Sequence, residues 1–473
     1  NDTSIFYTND NGTIFSDPAN PILTFPGCTQ LCGTGRSWYP DPGPRVSTWL
    51  IPVVLLVSNM EVSPLDKRRY LMLLHLLGDP INSLWALLLK MEAWSRCFSM
   101  ARTARKDNSD LGTRNFATVL GGIEELSGFH ADPQLVYTSI TSRSTLNSDQ
   151  LDHIIGKAAQ ELANSRTDER LRTLLAAALY FWQVVSAFVT TIGGGNTSPP
   201  GGRIGIAMFM TWIIPTILLS NAIGTFTSCR VCFDILERFV KEVTGHSNLW
   251  VHLQDASPSL QQFGSLDEYL NSLAWSGAIY TYRPATNLPY STSSKDRSRF
   301  LLLALAISPL IISTVASTLI LWHTPPIGVN CRNMLVFIIF MFFCLSAACT
   351  WSIHRLRKFM WIDIGGAAHW HLTLMKDALV AIPFVVLIFL STCGLFNSCW
   401  CWSGPYSLGG KKRVPLNHIP QLNRDFKSTY PIIVVGCLVL ECVVFVAMMW
   451  IGWNGWVTMR WSEKAKMEEW RRV

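Results

Sequence analysis

The residue with the clearest chemical potential is Glu441, which stands between Cys437 and Cys442 in a long apolar stretch. A carboxylate deep in a bilayer costs about 3 kcal/mol, so it needs a partner or a water-filled cavity. Two interpretations stay open: a functional group in such a cavity, or a protonated carboxyl group bonded to a neighbouring helix carbonyl or hydroxyl. The other apolar stretches carry neutral polar groups, such as Asn221 and Gln183. Such sparse charge is more typical of channels and receptors than of proton- or sodium-coupled transporters.

A second group of residues could bind a metal ion. Cys229 and Cys232 form a Cys-x-x-Cys pair, and His369 and His371 precede a later apolar stretch on the same predicted side. Together they offer soft ligands for zinc, although the cysteines could equally be free or palmitoylated. The sequence contains no nucleophile elbow, zinc-protease helix or dinucleotide fingerprint. We therefore predict neither an enzyme nor a bound cofactor.

Cysteines and glycosylation sequons mark the predicted outer side of the protein. The sequons occur at Asn1, Asn11 and Asn196, which indicates a glycoprotein if the compartment is secretory. Six of the thirteen cysteines fall in outer segments, and an oxidising compartment would permit three disulfides among them, with about fifteen possible pairings. The disulfide candidates are Cys28, Cys32, Cys331, Cys393, Cys399 and Cys401.

The composition indicates a membrane protein with large water-exposed parts. Of the 473 residues, 49% are hydrophobic and only 15% are charged, and the mean hydropathy is +0.25. Such a chain is too apolar for a soluble protein and too polar to lie wholly in a membrane. The net charge of +7 comes from Lys and Arg spread over several loops and membrane edges, so membrane topology explains it better than nucleic-acid binding.

Seven apolar stretches are candidates for bilayer-crossing helices. We predict an all-α integral membrane protein with about seven transmembrane helices, its N-terminus outside, its C-terminus cytoplasmic, and cytoplasmic helical regions. The predicted segments are an extracellular cap (1–46), a first span (47–62), a cytoplasmic or interfacial helical region (63–172), a transmembrane hairpin (173–226), a second cytoplasmic helical region (227–299), a bundle of four spans (300–456) that includes a span at 378–395 and an outer cysteine-containing loop (396–429), and a cytoplasmic tail (457–473).

The segment 70–94 is the most ambiguous part of this topology. It is rich in leucine but is interrupted by His75 and by Gly78, Asp79 and Pro80. Two amphipathic helices along the inner membrane face explain this pattern better than another span does.

Prolines inside predicted spans are hinge candidates. They are Pro52, Pro215 and Pro383. Each frees a helical carbonyl group and favours a kink, but prolines of this kind are common in membrane helices.

Five runs of the sequence carry a likeness to a known group of proteins: 43–52, 63–69, 77–81, 212–215 and 220–224. With them the chain resembles a family of uncharacterised multi-spanning membrane proteins of filamentous fungi. The resemblance covers most of the chain and implies a fungal plasma-membrane or secretory-pathway address. It brings no function, cofactor or site residue with it.

The functional expectation is an oligomeric ion channel or pore, because charge within the predicted spans is sparse and the predicted cytoplasmic helical regions are large. A membrane receptor or signalling scaffold is the alternative, and a lipid-handling membrane protein is the second alternative. The expected partners are membrane lipids, further copies of the chain and cytoplasmic proteins, without nucleic acid. The expected location is the plasma membrane, or else an endomembrane of the secretory pathway.

Overall fold

The computed structural model describes most of the chain. The described residues are 22–40, 42–60, 69–105, 110–127, 132–166, 170–186, 201–224, 226, 228–246, 248–256, 260–261, 263–272, 299–359, 366–404, 413–415 and 425–459. The sequons at Asn1, Asn11 and Asn196 lie outside these residues.

The described chain is almost entirely helical, with one short two-stranded antiparallel sheet. Its elements are β1 (Ile22–Thr24), α1 (Phe25–Cys32), α2 (Pro42–Ser58), α3 (Arg69–Gly78), α4 (Pro80–Ala104), α5 (Asp110–Ser127), α6 (Pro133–Thr141), α7 (Ser148–Asn164), α8 (Arg170–Ser186), α9 (Gly201–Phe209), α10 (Ile213–Ile223), α11 (Cys229–Thr244), α12 (Leu249–Ala256), α13 (Leu266–Ser272), α14 (Arg299–Trp322), α15 (Cys331–Phe359), α16 (Gly366–Cys393), α17 (Cys399–Trp402), β2 (Arg413–Pro415), a π-helical turn (Asp425–Thr429), α18 (Tyr430–Ile451) and α19 (Trp453–Met459). In the sheet, Leu23 stands opposite Val414.

Among the described residues, five helices are long and apolar enough to cross a membrane. They are Gly201–Ile223, which joins α9 and α10, Phe300–Trp322 in α14, Cys331–Ile353 in α15, His371–Cys393 in α16 and Lys427–Ile451, which contains α18. Two other predicted spans correspond to shorter apolar helices, Arg45–Ser58 and Thr173–Trp182. The chain that follows the second of these, 187–200, lies outside the described residues.

The buried apolar residues form three cores. The bundle core joins α2, α3 and most of α4 to α8, α9, α10, α14, α15, α16, α18 and α19. The helical domain packs the end of α4 with α5, α6, α7, α11, α12 and α13. The cap joins the two strands to α1 and α17. Since α4 contributes to both the bundle core and the helical domain, it connects them.

The segment 70–94, predicted to lie along the inner membrane face, packs into the bundle core. Leu76, Leu87 and Trp94 are completely buried in the bundle core, and α4 packs against α14, α15 and α19. The break at Gly78 and Asp79 bends the chain by 109° between α3 and α4, and the two helices together satisfy the same length and hydropathy criteria as the five spans. Neighbouring helices therefore cover apolar side chains on several faces of this pair, which makes it a part of the bundle.

Candidate functional site

The break between α3 and α4 places a carboxylate inside the bundle. Asp79 is the N-cap of α4, where its side chain accepts a hydrogen bond from the Asn82 backbone N–H at 3.2 Å, and Pro80 begins the helix. Both features favour a helix start at this point, and the positive end of the helix favours the negative charge. Gly78 is required just before it, since a Cβ atom there would lie 2.5 Å from the backbone oxygen of Asp377. The absence of a side chain therefore lets α3 touch α16.

Lys376 of α16 binds this carboxylate. Its Nζ donates to Asp79 Oδ2 at 2.9 Å and to Ser346 Oγ at 2.6 Å. Thr350 of α15 donates a second hydrogen bond to Asp79 Oδ2, at 2.5 Å. Ser346 and Thr350 lie in the span Cys331–Ile353, and Lys376 lies in the span His371–Cys393. Two candidate spans and the helix break therefore meet at one ionic contact.

A second carboxylate completes the arrangement. Asp377 Oδ1 lies 2.6 Å from Lys376 Nζ, and Asp377 Oδ2 lies 2.7 Å from His75 Nδ1. The side chains of Asp377, Asp79 and His75 are all at least 99% buried. We call His75, Asp79, Lys376 and Asp377, with Ser346 and Thr350, the buried charged cluster.

The cluster contains two carboxyl groups and one ammonium group. Two ionised aspartates and one ammonium group give a net charge of −1 when His75 is neutral, and 0 when His75 is protonated. An unbalanced charge in a low-dielectric interior is costly. One proton or one monovalent cation would therefore balance the formal charge of the cluster.

A resident divalent metal ion fits the cluster less well. Single ligand atoms of His75, Asp79 and Asp377 lie within 4.8 Å of one another, which is close enough to share an ion. However, the Lys376 ammonium group already contacts both carboxylates. A divalent ion beside it would turn a net charge of −1 into +1, whereas a proton brings the charge to zero.

A second ionic group, which we call the ion triad, joins the bundle to the helical domain. Glu125 Oε1 of α5 lies 3.0 Å from Lys90 Nζ and 2.6 Å from Arg166 Nη2, and it accepts a hydrogen bond from Trp94 Nε1 at 3.0 Å. Arg166 also donates to the Ile223 carbonyl oxygen at the end of α10. Burial disfavours the charged form of Glu125, but the two cations outweigh burial and hold the pKa of this carboxyl group below its usual value.

Glu441 lies away from the buried charged cluster. It is 96% buried, and its Oε1 accepts a hydrogen bond from Thr211 Oγ1 at 2.6 Å. Thr211 belongs to the short break between α9 and α10. Of the two interpretations made from the sequence, this contact corresponds to the carboxyl group bonded to a neighbouring hydroxyl.

The other polar and proline candidates have separate positions. Asn221 Nδ2 donates to the Asn59 and Ile217 carbonyl oxygens at 2.8 and 2.9 Å, which ties α10 to the end of α2. Gln183 lies in α8, and its side chain is outside the described residues. Pro52 and Pro383 stand inside α2 and α16, but Pro215 is the third residue of α10. A proline in the first turn of a helix gives up no helical hydrogen bond, so Pro215 does not by itself kink this candidate span. The irregularity lies instead at residues 210–212, between α9 and α10.

Four of the six outer cysteine candidates form disulfides. Cys28 is bonded to Cys399, which ties α1 to α17. Cys331 is bonded to Cys401, which ties the start of α15 to α17. The expected third disulfide is not formed, since Cys393 and Cys32 are thiols.

The predicted zinc ligands do not form a three-ligand group within the described chain. Cys232 is buried in α11 and donates to the Gly122 carbonyl oxygen at 3.7 Å, while Cys229 begins the same helix. His371 is exposed at the start of its span, and the side chain of His369 lies outside the described residues. Cys232 is therefore a packing residue of the helical domain, and burial holds its pKa well above the usual value.

No protein-family model, curated protein or solved structure matches the chain. The geometry of the site is therefore the basis for assigning a function.

Proposed function

We propose that the protein is a membrane transporter that couples the movement of a solute to proton binding at the buried charged cluster. The observation that carries this proposal is the placement of His75, Asp79, Lys376 and Asp377 between two candidate spans and a broken helix pair. Ionisable groups inside membrane bundles are costly and typically mark ion or proton pathways. Broken helices at such groups are typical of secondary transporters.

Protonation would act on the packing of α3 against α16. With His75 protonated, its contact with Asp377 is a charge-assisted pair that holds the two helices together. Loss of the proton leaves the cluster with a net charge of −1 and weakens that contact. The equilibrium then shifts towards an arrangement that admits water or another cation, and the break at Gly78 provides the point of rotation.

The proposed topology keeps seven spans, with the bent pair of α3 and α4 entering and leaving the bundle on the same side, the disulfide-bonded end outside and the helical domain in the cytoplasm. Its support is the distribution of cysteine chemistry: both disulfides lie at one end of the bundle, while Cys97, Cys229 and Cys232 of the helical domain are thiols. A plasma-membrane or secretory-pathway location agrees with this distribution.

The test measures proton binding without knowledge of the solute. Proteoliposomes on a solid-supported membrane receive a rapid pH jump across neutrality, and the transient charge displacement is recorded. We expect a displacement from the wild-type protein and none from Asp377→Asn. The matched control is Glu441→Gln, an equally buried acid whose replacement can still accept a hydrogen bond from Thr211. Equal displacement in wild type and Asp377→Asn would refute the proposal.

An oligomeric channel is the second candidate. The favouring observation is that α15, α16 and α18 leave broad apolar faces exposed, including Phe342, Leu379 and Val443, which lipid or further copies of the chain would cover. A steady unitary conductance in planar bilayers would favour the channel, whereas transient charge movement without steady current would favour the transporter.

A further inference from the structure

A second polar site lies at the disulfide-bonded end of the bundle, remote from the buried charged cluster. It is a cavity between the starts of α2, α9 and α15 and the end of α16. Thr392, which lines it, follows Asp377 by fifteen residues of α16, or about 22 Å of helix. The inference drawn from this cavity does not depend on the proposed transport function.

Three arginines dominate the lining of the cavity. Arg45, Arg203 and Arg332 come from three different helices, and each is more than 90% buried. The other described residues that line the cavity are Tyr39, Gly202, Ile206, Ser391 and Thr392, so none of the described lining residues is acidic. Three guanidinium groups around one small space favour an anion over a cation there.

Neighbouring aromatic and amide groups fix two of the guanidinium groups. The Arg45 guanidinium lies 3.6 Å from the centre of the Tyr39 ring. Arg332 Nη2 donates to the Tyr39 hydroxyl at 3.2 Å and to Asn397 Oδ1 at 3.4 Å. The disulfide from Cys331, next to Arg332, holds the start of α15 in place. The positions of these cations are therefore set before any ligand binds.

One donor is available for a ligand. Arg332 Nη1 is buried and has no hydrogen-bond partner among the described residues. It lies beside Gly202, where a Cβ atom would approach it to 3.2 Å. Gly202 and Arg203 belong to the first turn of α9, and a helix N-terminus adds backbone N–H groups and positive potential that favour an anion.

The size of the cavity restricts the ligand. The space open to the centre of a water molecule is about 20 Å³, and one bound water needs roughly 10–15 Å³ by the same measure. Such a cavity admits a single small ion but not a bulky organic anion. We propose that this cavity binds one inorganic anion of halide size, held by Arg45, Arg203 and Arg332.

The experiment titrates the purified full chain with sodium chloride in place of sodium gluconate at constant ionic strength. Chloride binding is read from broadening of the chloride nuclear magnetic resonance signal and from the thermal unfolding midpoint, which a bound ligand raises. A charged hydrogen bond contributes about 1.5–3 kcal/mol, so Arg332→Gln should weaken binding roughly ten- to a hundredfold. Arg332→Lys, which keeps the charge but loses the planar fork, should give a smaller loss.

The matched control is Arg36→Gln, which removes an exposed positive charge from the same part of the chain. It should bind chloride as the wild type does. The proposal is overturned if the wild-type protein shows no chloride-dependent broadening, a measurement that does not depend on the folding of any variant. It is also overturned if Arg332→Gln and the wild type respond equally. A response to phosphate or to vesicles of anionic lipid, without one to chloride, would also overturn it.

Discussion

Replacement of Glu125 by Gln tests how the helical domain is joined to the bundle. A single oxygen of Glu125 contacts Lys90, Arg166 and Trp94, which places one negative charge between two buried cations. Glutamine has nearly the same size and can still accept the hydrogen bond from Trp94. It removes only the charge, so Lys90 and Arg166 are left buried without the anion that balances them.

The expected loss of stability follows from that imbalance. Removal of one partner from a buried ion pair costs about 3–5 kcal/mol, because a charge stays in a low-dielectric interior. In a large chain each kcal/mol lowers the unfolding midpoint by about 2 °C. The Glu125→Gln variant should therefore unfold roughly 6–10 °C below the wild type.

The assay is thermal unfolding in detergent, followed by tryptophan fluorescence at a fixed scan rate. The control is Glu242→Gln, which removes a carboxylate from an exposed pair with Lys157 whose side chains are 38% and 52% exposed. The control should unfold at the wild-type temperature, since solvent screens such a pair. A midpoint for Glu125→Gln within about 2 °C of the wild type would show that the ion triad does not hold the two parts together.

Three further predictions concern the helix break, acid stability and the cap. Gly78→Ala should lower the unfolding midpoint and remove the charge displacement in the pH-jump assay, because the new Cβ meets the Asp377 backbone. The control Gly436→Ala should change neither the midpoint nor the displacement, since a Cβ there meets nothing within 4 Å. Folding lowers the pKa of Glu125, so its contribution to stability is present above about pH 4.3, the unfolded value, and is lost as the pH falls through the lower folded pKa. The thermal unfolding midpoint of Glu125→Gln should consequently fall less than that of the wild type between neutral pH and acid pH. Cys331→Ser should weaken chloride binding in the titration, while Cys32→Ser, which removes an exposed thiol, should leave it unchanged.

The long apolar helices could be predicted from the sequence because a run of apolar residues is a local pattern. The runs in α14, α15, α16 and α18 each contain enough consecutive apolar residues to be recognised without knowledge of their neighbours. The orientation and the number of spans remain predictions.

The buried charged cluster was missed because its residues interrupt apolar patterns. Lys376 and Asp377 come just before residue 378, where the predicted span began, whereas α16 continues through them from Gly366. The sequence Gly78-Asp79-Pro80 is interpreted above as an interruption between two interfacial helices, although helix-breaking residues next to an acid can equally mark a broken helix pair inside a bundle. The expectation of sparse intramembrane charge followed from these two boundaries.

The partners of each residue were beyond sequence reasoning. His75 and Asp377 are 302 positions apart, and Cys28 and Cys399 are 371 positions apart. Such contacts depend on how all the intervening helices pack, and no local pattern specifies that packing. The same is true of the three arginines of the cavity, whose charges look like ordinary membrane-edge residues in the sequence.

The most direct test of the account is the protonation state of His75 in lipid bilayers, measured by solid-state nuclear magnetic resonance on protein with nitrogen-labelled histidine. The His75 signal is assigned as the one that His75→Gln removes. The account predicts that this signal changes from the neutral to the doubly protonated form over the pH range in which charge is displaced. A His75 signal that keeps one protonation state throughout that range would contradict it.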